Sequence, residues 1–319
     1  MHHEIGGFIG LELKKGKHFH KDGILLNSAR NALRYAIRAY KIQKIHAPFY
    51  TCPVVWEAIN AESCELVPYE IDENFMPKTE FGESDFVLYT NYFGVCTAQV
   101  KTLAKCYKNL LVDNAMGFFT PHFGLASFYS PRKFFGVADG GILLCEAKLG
   151  EKFPKDTSYQ RFSQFLKRID LGSEPAYKDY RQSEDSLDGA PIKEMSSLTQ
   201  TILRACNYER ARHKRVRNFN FLAKEFDGIN LLKIKGGGAM NVPSHYPLML
   251  ENADKIYQIL LENKIYCPRF WPGLLDLMRG AKCEVEWAFG AKIIPLIIDQ
   301  RYGTADMKKI VRVVRRVIF

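Results

Sequence analysis

Lys133 stands in SFYSPRKFFGVADGGILLC (127–145), a stretch that otherwise reads as buried. A basic side chain there serves either as a surface residue on a turn or as a nucleophile. A lysine forms a Schiff base with an aldehyde only through its neutral amine. Burial near cationic or dipolar groups supplies that form. The aldehyde that proteins most often hold in this way is pyridoxal 5'-phosphate. Such a site makes three further demands. A carboxylate must face the pyridine nitrogen, a helix N-terminus with small hydroxyl residues must cradle the phosphate, and an aromatic must lie on the ring face.

Candidates for each occur in the chain. Asp113 ends the apolar run LLVD, where a lone carboxylate is costly without a cationic partner. NSARN offers the Ser28 hydroxyl and the backbone N–H groups of Ala29 and Arg30. Tyr50 or Phe49 follows a proline at a strand end, and Ser127 and Ser130 precede Lys133 as further phosphate ligands. Each has a plainer alternative. Asp113 also suits a turn cap, Ser28 is an N-cap in any case, Tyr50 suits a core, and most lysines are on the surface. The joint order of the residues, not any one of them, carries the reading.

The elements that must position them follow from periodicity. Residues 28–42 place Leu33, Ala36, Ile37 and Tyr40 on one helical face behind Ser28 as cap. KIHAPFY, CELVPYEID, DFVLYTNYF, NLLVDNA, SFYS and GGILLCE read as strands, and helices over TCPVVWEAINAES and TAQVKTLAKCYK interleave with them. This alternation specifies an α/β fold with a mostly parallel sheet between helices. Ligands of such sheets bind beyond the carboxyl ends of the strands, where Phe49, Tyr50, Asn91 and Asp113 fall. Residues 150–190 read as a polar connector with some helix, and LTQTILRACNYERARHKRVRNFNFLAKEF as one long helical stretch. From about 229 a strand, a GGG loop at 236–238, a strand at SHYPLMLE, a helix at 253–263, YCPRFWP, a strand at IIPLIID and a last helix describe a smaller α+β domain. The expected division is 1–228 and 229–319.

Composition narrows the classes. No run of apolar residues is long enough to span a membrane, and MHHEIGGFIGLELKKGK lacks the order of a secretory signal. No two of the scattered cysteines form a CxxC pair, and no His/Cys cluster has zinc spacing, so no metal is expected. Free cysteines favour the reducing cytoplasm. The net charge of +10 is spread along the chain without a nucleic-acid motif. It reads as a solvated basic surface, or as a means of drawing in phosphorylated small molecules.

With these motifs in place the chain resembles the DegT/DnrJ/EryC1/StrS family, the pyridoxal-phosphate sugar aminotransferases of fold type I. LNSARNALRYAI is similar to the family's phosphate-binding helix start, and APFYTCPVVWEAINAESCELVPYEIDENFMP to its strand–helix–strand segment. YTNYFGV, LLVDNAMG and SFYSPRKFFGVADGG resemble its aromatic-glycine strand end, its carboxylate strand and its Schiff-base segment. SHYPLML, 253–263 and IIPLIIDQRYGTADMKKIV resemble its small C-terminal domain. The resemblance implies a seven-stranded-type sheet and a homodimer with active sites at its interface. It also implies transfer of an amino group, usually from glutamate, to a keto group on a nucleotide-linked sugar, for a bacterial surface polysaccharide or related product. It makes Lys133 the Schiff-base lysine and Asp113 the pyridine-nitrogen partner. Ser28, Ala29 and Arg30 become the phosphate loop, Tyr50 the stacking ring, and Ser127 or Ser130 a phosphate ligand. The acceptor pocket would draw on Asn91, Arg269 and Trp271.

The chain departs from the family at four places. Ala29-Arg30 replaces Gly-Thr, and Met116 stands where Gln or His follows the aspartate. Ile192 is near the place of an interface asparagine, and an ungapped alignment puts Arg132, not Lys133, in the lysine column. Lys133 keeps the S-x-x-K spacing from Ser130. The competing readings are another pyridoxal-phosphate chemistry and a non-catalytic binder of sugar nucleotides.

Overall fold

The computed structural model describes residues 5–234, 241–271, 274 and 283–318. Its main sheet has seven strands in the order β1-β7-β6-β5-β4-β2-β3. They are β1 (Ile24–Leu26), β2 (Lys44–Pro48), β3 (Glu65–Tyr69), β4 (Phe86–Thr90), β5 (Leu110–Asn114), β6 (Ala126–Tyr129) and β7 (Gly141–Cys145). β2 to β6 run parallel in this sheet, and β7 is antiparallel to both its neighbours. The helices α1 (Ala29–Ala39), α2 (Pro53–Asn60) and α3 (Thr97–Cys106) are the crossovers that a parallel sheet requires. β1 is too short to show a period and is not evident from the sequence; its pairing with β7 creates it.

Alternation along the strands sorts the core onto two faces. Leu88, Leu111, Ala126 and Phe128 pack with α1 and α2 on one face, whereas Val87, Tyr89, Leu110 and Val112 pack with α3 on the other. All five residues of β5 are buried, as a strand covered on both faces must be.

The connector 150–190 is more ordered than expected. It folds into α4 (Ser163–Leu171) and α5 (Ser173–Asp185), an antiparallel pair joined through Gly172 at φ 89°. The stretch 198–226 is two helices, not one. Asn207 accepts the Arg210 N–H at 2.9 Å and starts α7 (Tyr208–Phe226) after α6 (Ser197–Ala205) has ended. Beyond α7 come β8 (His245–Met249), α8 (Ala253–Glu262), α9 (Glu284–Lys292), β9 (Ile293–Ile297) and α10 (Thr304–Ile318), with β8 and β9 paired antiparallel. The strand expected from about 229 does not form over 229–234. The Asn230 carboxamide takes the N–H groups of Leu232 and Met249, and the Leu231 N–H donates to the Met249 carbonyl at 3.1 Å, so a side chain takes up part of the bonding a ladder would supply. The GGG loop lies outside the described residues.

Candidate functional site

The site lies at the carboxyl ends of β2, β5 and β6. Lys133 closes a tight turn over Pro131–Lys133, in which the Ser130 carbonyl accepts the Lys133 N–H at 3.3 Å. Asp113 shares the sheet face of Leu111 and Phe128, because side chains alternate along β5 and Asp113 is in register with Phe128. Asp113 is 5 % exposed, and its carboxylate accepts the Ala115 N–H at 2.8 Å. Burial pushes this carboxyl up, and the nearby Lys133 ammonium and the Ala115 N–H draw it back. Lys133 itself is exposed, not buried as its apolar neighbours suggest. Arg132, the other cation of the pair, turns away and forms an ion pair with Glu184 of α5.

The start of α1 packs beside the same end of the sheet, with Ser28 bridged to Gly140 ahead of β7. Ser28 is extended at φ −157° and its hydroxyl accepts the Asn31 N–H at 3.1 Å, leaving the N–H groups of the first turn unpaired within the helix. β7 holds this start in place. The Gly140 N–H donates to the Asn27 carbonyl at 2.7 Å, and a Cβ on Gly141 would lie 2.0 Å from the Ser28 carbonyl oxygen. Asp139 is fully buried and takes the Ser196 N–H and hydroxyl, each at 2.8 Å, together with the Thr199 hydroxyl. The DGG motif thus ties α1, α6 and the end of the Lys133 segment to one point. Arg30 donates to the Leu187 carbonyl and to Asp188, both at 2.8 Å, while its Nε is buried without a partner.

Three residues that the sequence reading did not single out complete the walls. The Cys52 thiol, at the start of α2, is pushed up by burial, drawn down by Lys133 and Arg30 and raised by Asp113. The Phe270 ring centroid is 5.9 Å from the Lys133 amine and 5.2 Å from His245. Burial, Arg215 and Lys133 hold the His245 imidazole down at about 3. Nothing in the local sequence around Cys52, Phe270 or His245 marks them, because each joins the site through long-range packing.

Other expected residues are engaged elsewhere. Tyr50 is 2 % exposed and packs in an aromatic cluster with Tyr92, Phe289 and Trp271, the last at 4.8 Å. Trp271 is thereby a core residue as well. Phe49 is half-buried, against Trp56 at 6.0 Å. The Asn91 carboxamide is fully buried, bridging Asn114, Thr120 and the Cys96 N–H. Ser127 shares the Val112 face of the sheet, opposite Asp113, and exchanges hydrogen bonds with the Phe123 backbone. Arg269 pairs with Asp254 and covers the Tyr257 ring. Met116 is buried with its sulfur on the Phe93 N–H, and Ile192 packs in the α1–α2 core. Ser130 is buried at the head of the turn and its side chain caps nothing.

No family model matches the sequence, and no curated protein matches it. Solved structures do share its fold. A DegT DnrJ EryC1 StrS aminotransferase from Brucella abortus superposes with a TM-score of 0.64 at 14 % identity, covering 92 % of this chain and 85 % of that one. DesV from S. venezuelae, solved in complex with a ketimine intermediate, gives 0.62 at 15 % identity, with 92 % and 84 % covered. NtdA from Bacillus subtilis, solved with bound cofactor PMP, gives 0.64 at 13 % identity, with 93 % and 73 % covered. At these identities the likeness establishes the fold type I architecture.

Proposed function

We propose that this chain is a pyridoxal-phosphate-dependent aminotransferase acting on a keto sugar. The observation that carries the reading is that the buried Asp113 at the end of β5 and Lys133 in the turn after the neighbouring β6 lie at the same end of the sheet, beside the N-terminal turn of α1. The residues fit the cofactor. The α1 N–H groups with Ser28 and Ser130 suit a phosphate, the unpartnered Arg30 Nε lies near that end, and Asp113 suits a protonated ring nitrogen. Pyridoxal 5'-phosphate, when bound, supplies an electron sink for the carbon that loses or gains a proton. Lys133 would anchor the cofactor and carry that proton on its Nζ. Asp113 would hold a proton on the ring nitrogen, and Phe270 would exclude water from the Lys133 side. With Tyr50 in the core, Phe270 is the ring that stands by the Lys133 amine.

Glutamate as donor, a nucleotide-linked keto sugar as acceptor, and a role in bacterial surface polysaccharide synthesis in the cytoplasm complete the proposal. The amino-transfer part of it is supported by the aminotransferase name of the Brucella abortus fold neighbour. A homodimer with shared active sites also fits. Leu166, Ile169, Leu171, Tyr177 and Tyr180 on α4 and α5 are exposed in the single chain, and so is Lys133. The boundary between the large and small domains falls near residue 228 in this reading.

The test is the visible spectrum of the purified protein with and without pyridoxal 5'-phosphate, followed by borohydride reduction and peptide mapping. A yellow protein labelled at Lys133 supports the reading; a colourless, unlabelled one refutes it. A second reading, a sugar-nucleotide binder without turnover, draws on Met116 and Ile192, both locked in the core. Calorimetric binding of a sugar nucleotide without amino transfer from glutamate would favour it.

A further inference from the structure

Arg215 of α7 is the largest side chain in the described residues that is almost completely buried, at 2 % exposure. A buried guanidinium is expensive unless its donors are placed, and burial here draws its pKa down to about 10, with Asp299 opposing. Its partners converge on the Lys133 turn. The Nε donates to the Gln300 side-chain oxygen at 2.9 Å, and the Gln300 amide donates to the Phe134 carbonyl at 2.6 Å. The guanidinium also covers the Phe134 ring at 4.3 Å. Phe134, the residue after Lys133, is therefore gripped at both its carbonyl and its ring.

The same guanidinium reaches the opposite wall. Its Nη1 donates to the Ser244 carbonyl at 3.0 Å and to the Pro243 carbonyl at 3.3 Å. Ser244 in turn donates its N–H to the Phe93 carbonyl at 2.8 Å, and His245 follows it. One turn along α7, the Asn218 amide donates to the Ile298 carbonyl at 3.1 Å and the Tyr302 carbonyl at 3.2 Å, fixing the turn that carries Gln300. Arg215 thus joins the β8 start, the turn after β9 and the residue next to Lys133.

We infer that Arg215 is a positioning residue for Lys133, acting through Gln300 and Phe134 to set where the amine stands relative to the β8–β9 unit. Its catalytic meaning rests on the aminotransferase reading, but the placement itself is measurable without cofactor. Only a planar fork can serve Gln300 and two carbonyls while lying on a ring, so lysine is no substitute.

The experiment is competitive acetylation of the cofactor-free full-length protein with acetic anhydride. The rate at Lys133 is read by peptide mass spectrometry against Lys167 and Lys264, whose side chains are 47 % and 73 % exposed. Arg215→Met, Arg215→Lys and Gln300→Leu are compared with the parent. The expected result is a change of about threefold or more at Lys133 alone, and about tenfold weaker retention of pyridoxal 5'-phosphate, since small misplacements are amplified at a reacting group. Gln300 is only partly buried, so Gln300→Leu keeps the test available if Arg215→Met does not fold. Lys133 labelling within threefold of the parent in every folded variant overturns the inference. A parent protein that takes up no cofactor refutes the aminotransferase reading and leaves the labelling comparison standing.

Discussion

Arg132 and Lys133 adjoin in the chain and answer to different partners: Arg132 is paired with Glu184, and Lys133 bears on Asp113. The local pattern SPRK does not choose between them. Lys133→Ala should abolish borohydride-trapped cofactor and turnover, whereas Arg132→Ala should retain the trapped label on Lys133. Peptide mapping of both variants decides the matter, and a label on any other lysine would sink the assignment.

Asp113 is held against its own stability. Its folded carboxyl is raised above the ordinary value, so the folded state keeps the proton longer than the unfolded chain does. The contribution of this group to stability is then fully present below the ordinary carboxylate range and is lost as pH rises through the raised value. Asp113→Asn should leave the cofactor-free protein at least as thermostable at pH 7 while turnover falls about 10–100-fold, the value of a charge-assisted hydrogen bond. Thermal melts beside steady-state rates test the pair of effects. A variant that melts lower and still turns over normally would contradict it.

Gly141→Ala should damage the site from behind. The added Cβ would lie 2.0 Å from the Ser28 carbonyl oxygen and 2.6 Å from the Ala29 nitrogen, both backbone atoms. The start of α1 must then separate from β7, at a cost of about 1–3 kcal/mol typical of overpacking. Cofactor affinity should fall more than stability does, because the displaced turn is the proposed phosphate seat. Equilibrium dialysis against pyridoxal 5'-phosphate and urea titration would compare the two.

Acid should weaken the fold through His20. Its Nε2 lies 2.7 Å from the Phe118 carbonyl and its ring 4.0 Å from the Tyr129 ring centroid. Burial holds this imidazole down at about 4. The unfolded chain therefore binds the proton first, and stability drops as pH falls from the ordinary histidine value toward the folded one. By pH 5 the loss attributable to this group is about 2 kcal/mol. His20→Phe should flatten the decline between pH 7 and pH 5 in urea midpoints. His245, held down at about 3, leaves a residual slope of the same sign.

The order of elements was legible in the chain because it depends on neighbours. Ser28 caps α1 through a residue three positions on, and β5 declares itself by an unbroken apolar run ending in Asp113. What the side chains beyond each strand face was not legible. Tyr50 and Asn91 stand at strand ends, as their positions implied, yet the core of Tyr92 and Phe289 claims one and the amides of Asn114 and Thr120 claim the other. Ser127 lies on the wrong side of the sheet for Asp113 because alternation along β6 places it with Val112. Cys52, Phe270, His245 and Arg215 entered only through tertiary structure, from segments far apart in the chain. A one-dimensional pattern carries periods and caps, but it carries no distances between segments, and those distances decide which side chains meet at the candidate site.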